Sequence, residues 1–313
     1  MRPGFVLGID FGGTKIALAT ATPDGRTLRR ARLETRGREG APAVVRRALG
    51  AARRLITETD ASAGADGGGG SEHGVHGAGL LAAGVSTFGV VRGDRVVLAP
   101  NVPGWEDLPL PALLREGLGT PLLSLDNDVN AATAAELRWG RLAGVGTGVY
   151  VNVGTGLGAG IVADGRVVRG ANGAAGEIGY ALRSPAEPGY AAGRAPLEEY
   201  ASGGGLARRG SALLGRDTPA EDLFGIRGDP RVDRLLDGAL DALATAVANL
   251  AIALDPERVV LGGGMAAEPA LPSRISATLA AAVPFPPVVE AGRFASDAAL
   301  VGALALAVDA LRA

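Results

Sequence analysis

Residues 5–26 read FVLGIDFGGTKIALATATPDGR. Two apolar runs, FVLGID and KIALATA, flank a glycine-rich turn. PDG makes a second turn, leading into RTLRRARLE with its alternating character. Short apolar runs bounded by Gly, Pro and Asp are strands, so the chain opens on three of them. Gly12 and Gly13 carry no Cβ, which lets the backbone come close to an anion. Thr14 adds a hydroxyl, and Lys15 is the only lysine in the chain. Asp10, at the strand end, can hold Mg²⁺ through water. The spacing is not the G-x-x-x-x-G-K of a Walker loop. Taken alone, DFGGTK also suits an ordinary glycine hairpin.

Working outward, GVYVNVGTGLGAGIVADGR (148–166) repeats the order strand, glycine turn, strand, polar turn. Two halves of common ancestry would each supply such a hairpin; so would chance. Thr155 and Gly156 lie in this second turn. Its glycines at 156, 158 and 160 alternate, which departs from dinucleotide spacing and disfavours a Rossmann dehydrogenase. VVLGGGM (259–265) gives a third turn, with Gly262, Gly263 and Gly264. Three such turns, each after an apolar strand, suggest a nucleotide cleft lined by backbone N–H groups. LDNDVNAA (125–132) ends a further strand and opens an Ala-rich helix. Asp128 there can take a proton from a hydroxyl while Asn127 orients the acceptor. A helix cap by Asp126 or Asp128 is the other reading.

The chain has 313 residues, which suggests two domains. Hydrophobic residues make up 47% and charged residues 20%, an ordinary globular balance. A net charge of −2 gives no broad attraction to nucleic acid or anionic membrane. Cysteine is absent, which excludes disulfides, thiolate zinc sites and a cysteine nucleophile. No run of 18 apolar residues and no signal-peptide layout occur, so a cytoplasmic protein without a membrane partner is expected. Helical periodicity marks 41–60, 230–256 and 296–312. Residues 62–79 are of low complexity and read as a surface loop, with His73 and His76 solvated rather than sharing a metal.

Together GIDFGGTK, NVPGW, DNDVNAA, GTGLGAG, GAAGEIG, LEEYASG and LGGGM resemble, in order and spacing, the ROK family of sugar kinases and repressors. The resemblance implies an α/β chain with the actin-like ATPase (hexokinase-type) two-domain fold and an interdomain cleft. The smaller domain would be 1–125 plus 298–313, the larger 126–297. It implies phosphorylation of a hexose or aminohexose with ATP and Mg²⁺. Asp128 would be the general base on the sugar hydroxyl, usually O6. Gly89, Asn101, Asn127, Glu177 and Glu198 would bind the sugar. Asp10, Gly12, Gly13, Thr14 and Lys15 would form the first phosphate loop, and Asp10 would meet Mg²⁺ through water. Thr155 and Gly156 would form the second loop, and Gly262, Gly263 and Gly264 would approach the adenosine. Sugar binding would close the domains, and a homodimer is expected.

The sequence departs from the family at the zinc ligands. Many members carry a His after GEIG and a run of cysteines before the LE pair. Here those positions are Tyr180, Gly189, Ala191 and Pro196, so no zinc site is expected. The LE glutamate remains as Glu198. Tyr180 in place of the His, which in the family also meets the sugar, suggests a preference other than plain glucose; an aminosugar such as kanosamine fits the acidic pair Glu177 and Glu198. Tyr180 filling the emptied space is the plainer alternative. Glucokinase proper, or a catalytically weak sugar-binding regulatory protein, are the competing functions. A DNA-binding repressor is disfavoured, because the first strand starts at residue 5 and net charge is −2.

Overall fold

The computed structural model describes residues 4–65, 79–106, 108–120 and 122–312. His73 and His76 lie outside them. The chain forms two compact units. The first is Met1–Trp139, Asn172–Ala174 and Asp297–Ala313; the second is Gly140–Ala171 and Ala175–Ser296.

The opening stretch folds as an antiparallel meander of β1 (Gly4–Phe11), β2 (Lys15–Ala21) and β3 (Thr27–Glu34). There follow α1 (Ala41–Ala65), β4 (Gly79–Thr87), the hairpin β5 (Val90–Arg92) and β6 (Arg95–Val97), α2 (Leu110–Leu118), β7 (Leu123–Asn127) and α3 (Asp128–Trp139). The first sheet has the order β3-β2-β1-β4-β7, with β1, β4 and β7 parallel. β3 is an exposed edge carrying Arg29, Arg30 and Arg32, charges that discourage pairing with another chain.

In the second unit come β8 (Gly148–Val153), β9 (Leu157–Ala163), β10 (Arg166–Val168), α4 (Pro196–Ala201), α5 (Gly203–Leu214), α6 (Ala220–Gly225), α7 (Pro230–Leu254), β11 (Arg258–Gly262), α8 (Ala270–Ala282) and β12 (Val288–Ala291). Its sheet order is β10-β9-β8-β11-β12. Again the first three strands are antiparallel and β8, β11 and β12 are parallel. The echo seen in two hairpins therefore extends over both sheets. α7 is the one described helix long and apolar enough to cross a membrane. Its Val232, Leu236, Leu240, Leu243 and Val247 are instead in the second unit's core.

The last helix, α9 (Ala298–Ala310), returns to the first unit. β1 is buried on both faces because side chains alternate across a strand. Leu7, Ile9 and Phe11 pack with Val44, Ala48 and Leu55 of α1. Val6 packs with Leu300 and Leu304 of α9. Close approach of α9 needs glycine on both sides. A Cβ on Gly84 would lie 1.9 Å from the Ala303 carbonyl oxygen, and one on Gly302 1.9 Å from that of Ala131. α3 and α9 pack extensively on each other, so the first unit runs through Trp139 rather than dividing after residue 125.

Candidate active site

In the first unit, the sheet brings the carboxyl ends of β1, β4 and β7 together. Asp10 is level with Ser86, and Ser86 with Asp126; one step on, Thr87 is level with Asn127. The ends of parallel strands are where α/β folds bind ligands, since the chain turns away there and leaves side chains and helix N-termini facing out. The Ser86 hydroxyl donates to Asp10 Oδ1 at 2.8 Å. Burial is the main reason the Asp10 carboxyl is pushed up to about 6. The Ser86 bond and Lys15 oppose that rise, and the Asp128 and Asp297 charges add to it. Asp10 and Asp128 are thus close enough to act on each other.

The three residues of DND are used differently. Asp126 is buried, and its Oδ1 accepts from Asn127 N and Asn130 Nδ2, both at 2.9 Å. Asn127 is buried too, and its Oδ1 accepts from Asn130 N at 2.7 Å. That is the bond of an N-cap side chain to the third helical residue. The cap is therefore Asn127, neither of the aspartates expected. Asp128 is exposed, and its Oδ1 accepts from Val129 N at 2.9 Å.

The turn after β1 is tied to the body through its carbonyls. Lys15 O accepts from Gly12 N, Thr14 O from Thr35 N, and Gly12 O from Thr35 Oγ1 at 2.6 Å. The N–H groups of Gly13 and Thr14 take no part in these bonds, and both residues are exposed. A loop with its carbonyls engaged inward presents its positive ends outward, as an anion site requires. Thr35, which makes two of these three bonds, carries no signal in the sequence. In NVPGW, Trp105 is fully buried against Phe11 and Phe88, and its Nε1 donates to Thr87 Oγ1 at 3.1 Å. It anchors the segment that carries exposed Asn101. Gly89 turns the chain between β4 and β5 with φ of 82°.

In the second unit, the turn after β8 is tied in the same way. Gly154 O accepts from Gly203 N at 2.8 Å, Thr155 O from Gly204 N at 3.1 Å, and Gly156 O from Gly154 N. The partner is the first turn of α5, capped by Ser202 Oγ accepting from Gly205 N. A Cβ on Gly203 or Gly204 would lie 2.8 or 2.6 Å from those carbonyl oxygens. This glycine run, unremarked in the sequence, lets the helix dock. The turn and α5 border a cavity of about 650 Å³, walled also by Phe224, Gly264 and Met265. Thr155 and Gly264 line it; Gly262 and Gly263 do not, and Gly263 sits against Val153.

Glu198, on α4, is fixed at the same turn. Its Oε2 accepts from Leu157 N at 2.9 Å and lies beside Gly156. Tyr180 is near both acidic residues. Burial, then the charges of Glu177 and Glu198, raise its phenol above its usual range, so it stays a neutral donor. Its ring meets Tyr190 edge-on at 5.6 Å between centroids. Gly189, Ala191 and Pro196 follow in the same segment.

A model of the ROK family matches residues 71–310. The chain is 30% identical over 285 residues to a glucokinase of Halalkalibacterium halodurans, covering 85% of this chain and 82% of the relative. It is 30% identical over 306 residues to an N-acetylmannosamine kinase of Escherichia fergusonii, covering 96% and 97%. A ROK family glucokinase from Streptomyces griseus, solved in complex with glucose and AMPPNP, superposes with a TM-score of 0.75 at 27% identity, covering 98% and 100% of the two chains. The fold is that of the actin-like ATPases, and the chain belongs to the ROK family.

Proposed function

We propose that the protein transfers the γ-phosphoryl group of ATP to a hydroxyl, O6, of a hexose or aminohexose. The observation that carries this is Asp128. It is the one carboxylate of DND left exposed, at the carboxyl end of a parallel strand, beside Asp10. Asp126 and the Oδ1 of Asn127 next to it are committed to the fold. In the reaction the sugar oxygen bonds to the γ-phosphorus, the bond to the β,γ-bridging oxygen breaks, and ADP leaves. Asp128 takes the hydroxyl proton, a contribution of about 10²–10⁴-fold. Asn101 and Asn127, with Gly89 at the turn, are the sugar-binding candidates of the first unit; Glu177, Tyr180 and Glu198 are those of the second. Asn127 has its Nδ2 to offer, since its Oδ1 caps α3.

Gly12, Gly13, Thr14 and Lys15 receive phosphate oxygens, as do Thr155 and Gly156. The 650 Å³ cavity suits the adenosine, with Phe224 and Met265 as apolar walls. Mg²⁺ is held by one or two carboxylates together with phosphates and water. Asp10 fits that: Oδ1 takes the Ser86 bond, and Oδ2 takes no hydrogen bond from the described residues. When bound, Mg²⁺ neutralises charge building on the β- and γ-phosphates. The neutral Tyr180 phenol between two carboxylates supports a substrate with a hydrogen-bonding substituent at that end of the ring, an aminosugar before glucose. A cytoplasmic homodimer accords with the family resemblance.

A coupled ADP-release assay across glucose, mannose, N-acetylmannosamine, glucosamine and kanosamine tests the reading. Turnover on one or more sugars is expected, falling by about 10²–10⁴-fold in Asp128→Asn. A folded protein that binds sugar but turns over none of them would make it the sugar-binding regulator instead.

A further inference from the structure

The second unit has another cavity, of about 320 Å³, whose wall holds four guanidinium groups: Arg183, Arg194, Arg208 and Arg209. Two carboxylates share it. Glu187 pairs with Arg183, and Glu199 pairs with Arg194, whose Nε lies 2.9 Å from both Glu199 oxygens. Neither Arg208 nor Arg209 forms a salt bridge among the described residues, though the Arg208 charge also acts on Glu199. The cavity therefore carries two positive charges in excess.

The arrangement is built, not a chance cluster of surface side chains. Tyr200, in the last turn of α4, receives the Arg183 guanidinium at 3.6 Å and the Arg209 guanidinium at 3.9 Å from its ring centre. Arg209 Nη1 also donates to Tyr200 O at 2.6 Å. Stacking on one ring fixes the two planes by cation–π attraction while leaving most N–H edges unspent. Two like charges held this close repel, and an anion bonded to an N–H edge of each relieves that repulsion. Arg209 is half-buried, so water screens it poorly; burial and the neighbouring Arg183 charge pull its pKa below the usual range. Planar forks of N–H donors match phosphate oxygens in geometry.

We propose that this cavity binds a phosphate dianion, either free inorganic phosphate or the phosphate of a monoester. The binding site does not rest on the kinase reading. It adjoins the larger cavity along one helix: α5 gives Gly203, Gly204 and Ala207 to the larger cavity and Arg208 and Arg209 to this one, and a Cβ on Gly204 would lie 3.6 Å from Arg208 Nη1.

The test is calorimetric titration of the full chain, first saturated with Mg²⁺ and AMPPNP so that the glycine turns are occupied. Inorganic phosphate and glucose 6-phosphate are the two probes. One saturable site with a Kd of about 1 mM or tighter is expected, weakened at least about tenfold in Arg208→Gln/Arg209→Gln. Tighter binding of the ester assigns a product-like ligand; tighter binding of the free ion assigns phosphate itself. Arg208→Glu serves if the double variant does not fold, since Arg208 is exposed and makes no hydrogen bond among the described residues. Absence of saturable binding in the wild type, or binding unchanged in the folded variants, overturns the proposal.

Discussion

Asp126, Asn127 and Asp128 are adjacent in the chain but differ in what surrounds them. The first is locked into Asn130, the second caps α3, and the third faces outward. Asn127→Asp keeps an acceptor for the cap but loses the amide donor. Its melting temperature should stay near the wild type while KM for the sugar rises. Asn127→Ala should lose both, with about 1 kcal/mol of stability in addition. Equal KM effects without a difference in melting would contradict the cap. Asp10 makes a pH prediction. Burial holds its carboxyl at about 6, so it is neutral below that and ionised above. Only the ionised form attracts Mg²⁺, so kcat/KM should rise with pH through about 6, and higher Mg²⁺ should move that limb to lower pH. Stability runs the other way: the folded pKa lies above the free value of 3.8, so this group's contribution falls as pH rises from 3.8 to about 6. The sequence marked DND as a candidate for chemistry. It did not disclose which residue caps, because all three can accept a hydrogen bond and only tertiary packing aims them.

Elements were legible where periodicity is strong. The three opening strands, the long α7 and the closing α9 stand where apolar spacing put them. What periodicity could not convey is contact between distant segments. Gly203 and Gly204 look like the end of a motif, yet they exist to admit the carbonyls of Gly154 and Thr155. Gly204→Val should force α5 off that turn, since its Cβ would meet Thr155 O at 2.6 Å. KM for ATP should rise by about tenfold or more, while sugar binding measured without nucleotide stays nearly unchanged; each tenfold corresponds to roughly 1.4 kcal/mol. If nucleotide affinity survives in a folded Gly204→Val, the turn and helix do not act as one. Thr35 likewise left no trace in the sequence, since a threonine after a strand has many uses.

At the scale of the whole molecule, two sheets of one strand order each enclose a core of their own. Both tryptophans, Trp105 and Trp139, belong to the first unit. Tryptophan fluorescence therefore follows that unit, whereas far-ultraviolet circular dichroism follows both. The two denaturation curves should not coincide, and AMPPNP should shift the dichroism curve more than the fluorescence curve. Superimposed curves that move together would mean the cores melt as one. The repeat was visible in the sequence only as two glycine hairpins; the parallel strands that complete each sheet lie too far along the chain for local patterns to pair them.

The place of α9 has a consequence on the ribosome. β7, the last strand of the first sheet, ends at Asn127, but the helix that covers one face of that sheet begins at Ala298. At about 5–20 residues per second, the nascent chain carries that face, with Val6, Ala19 and Ala82, uncovered for roughly 10–30 seconds. The first half to be synthesised thus completes its core last, and its apolar face is open to other chains until the final helix emerges.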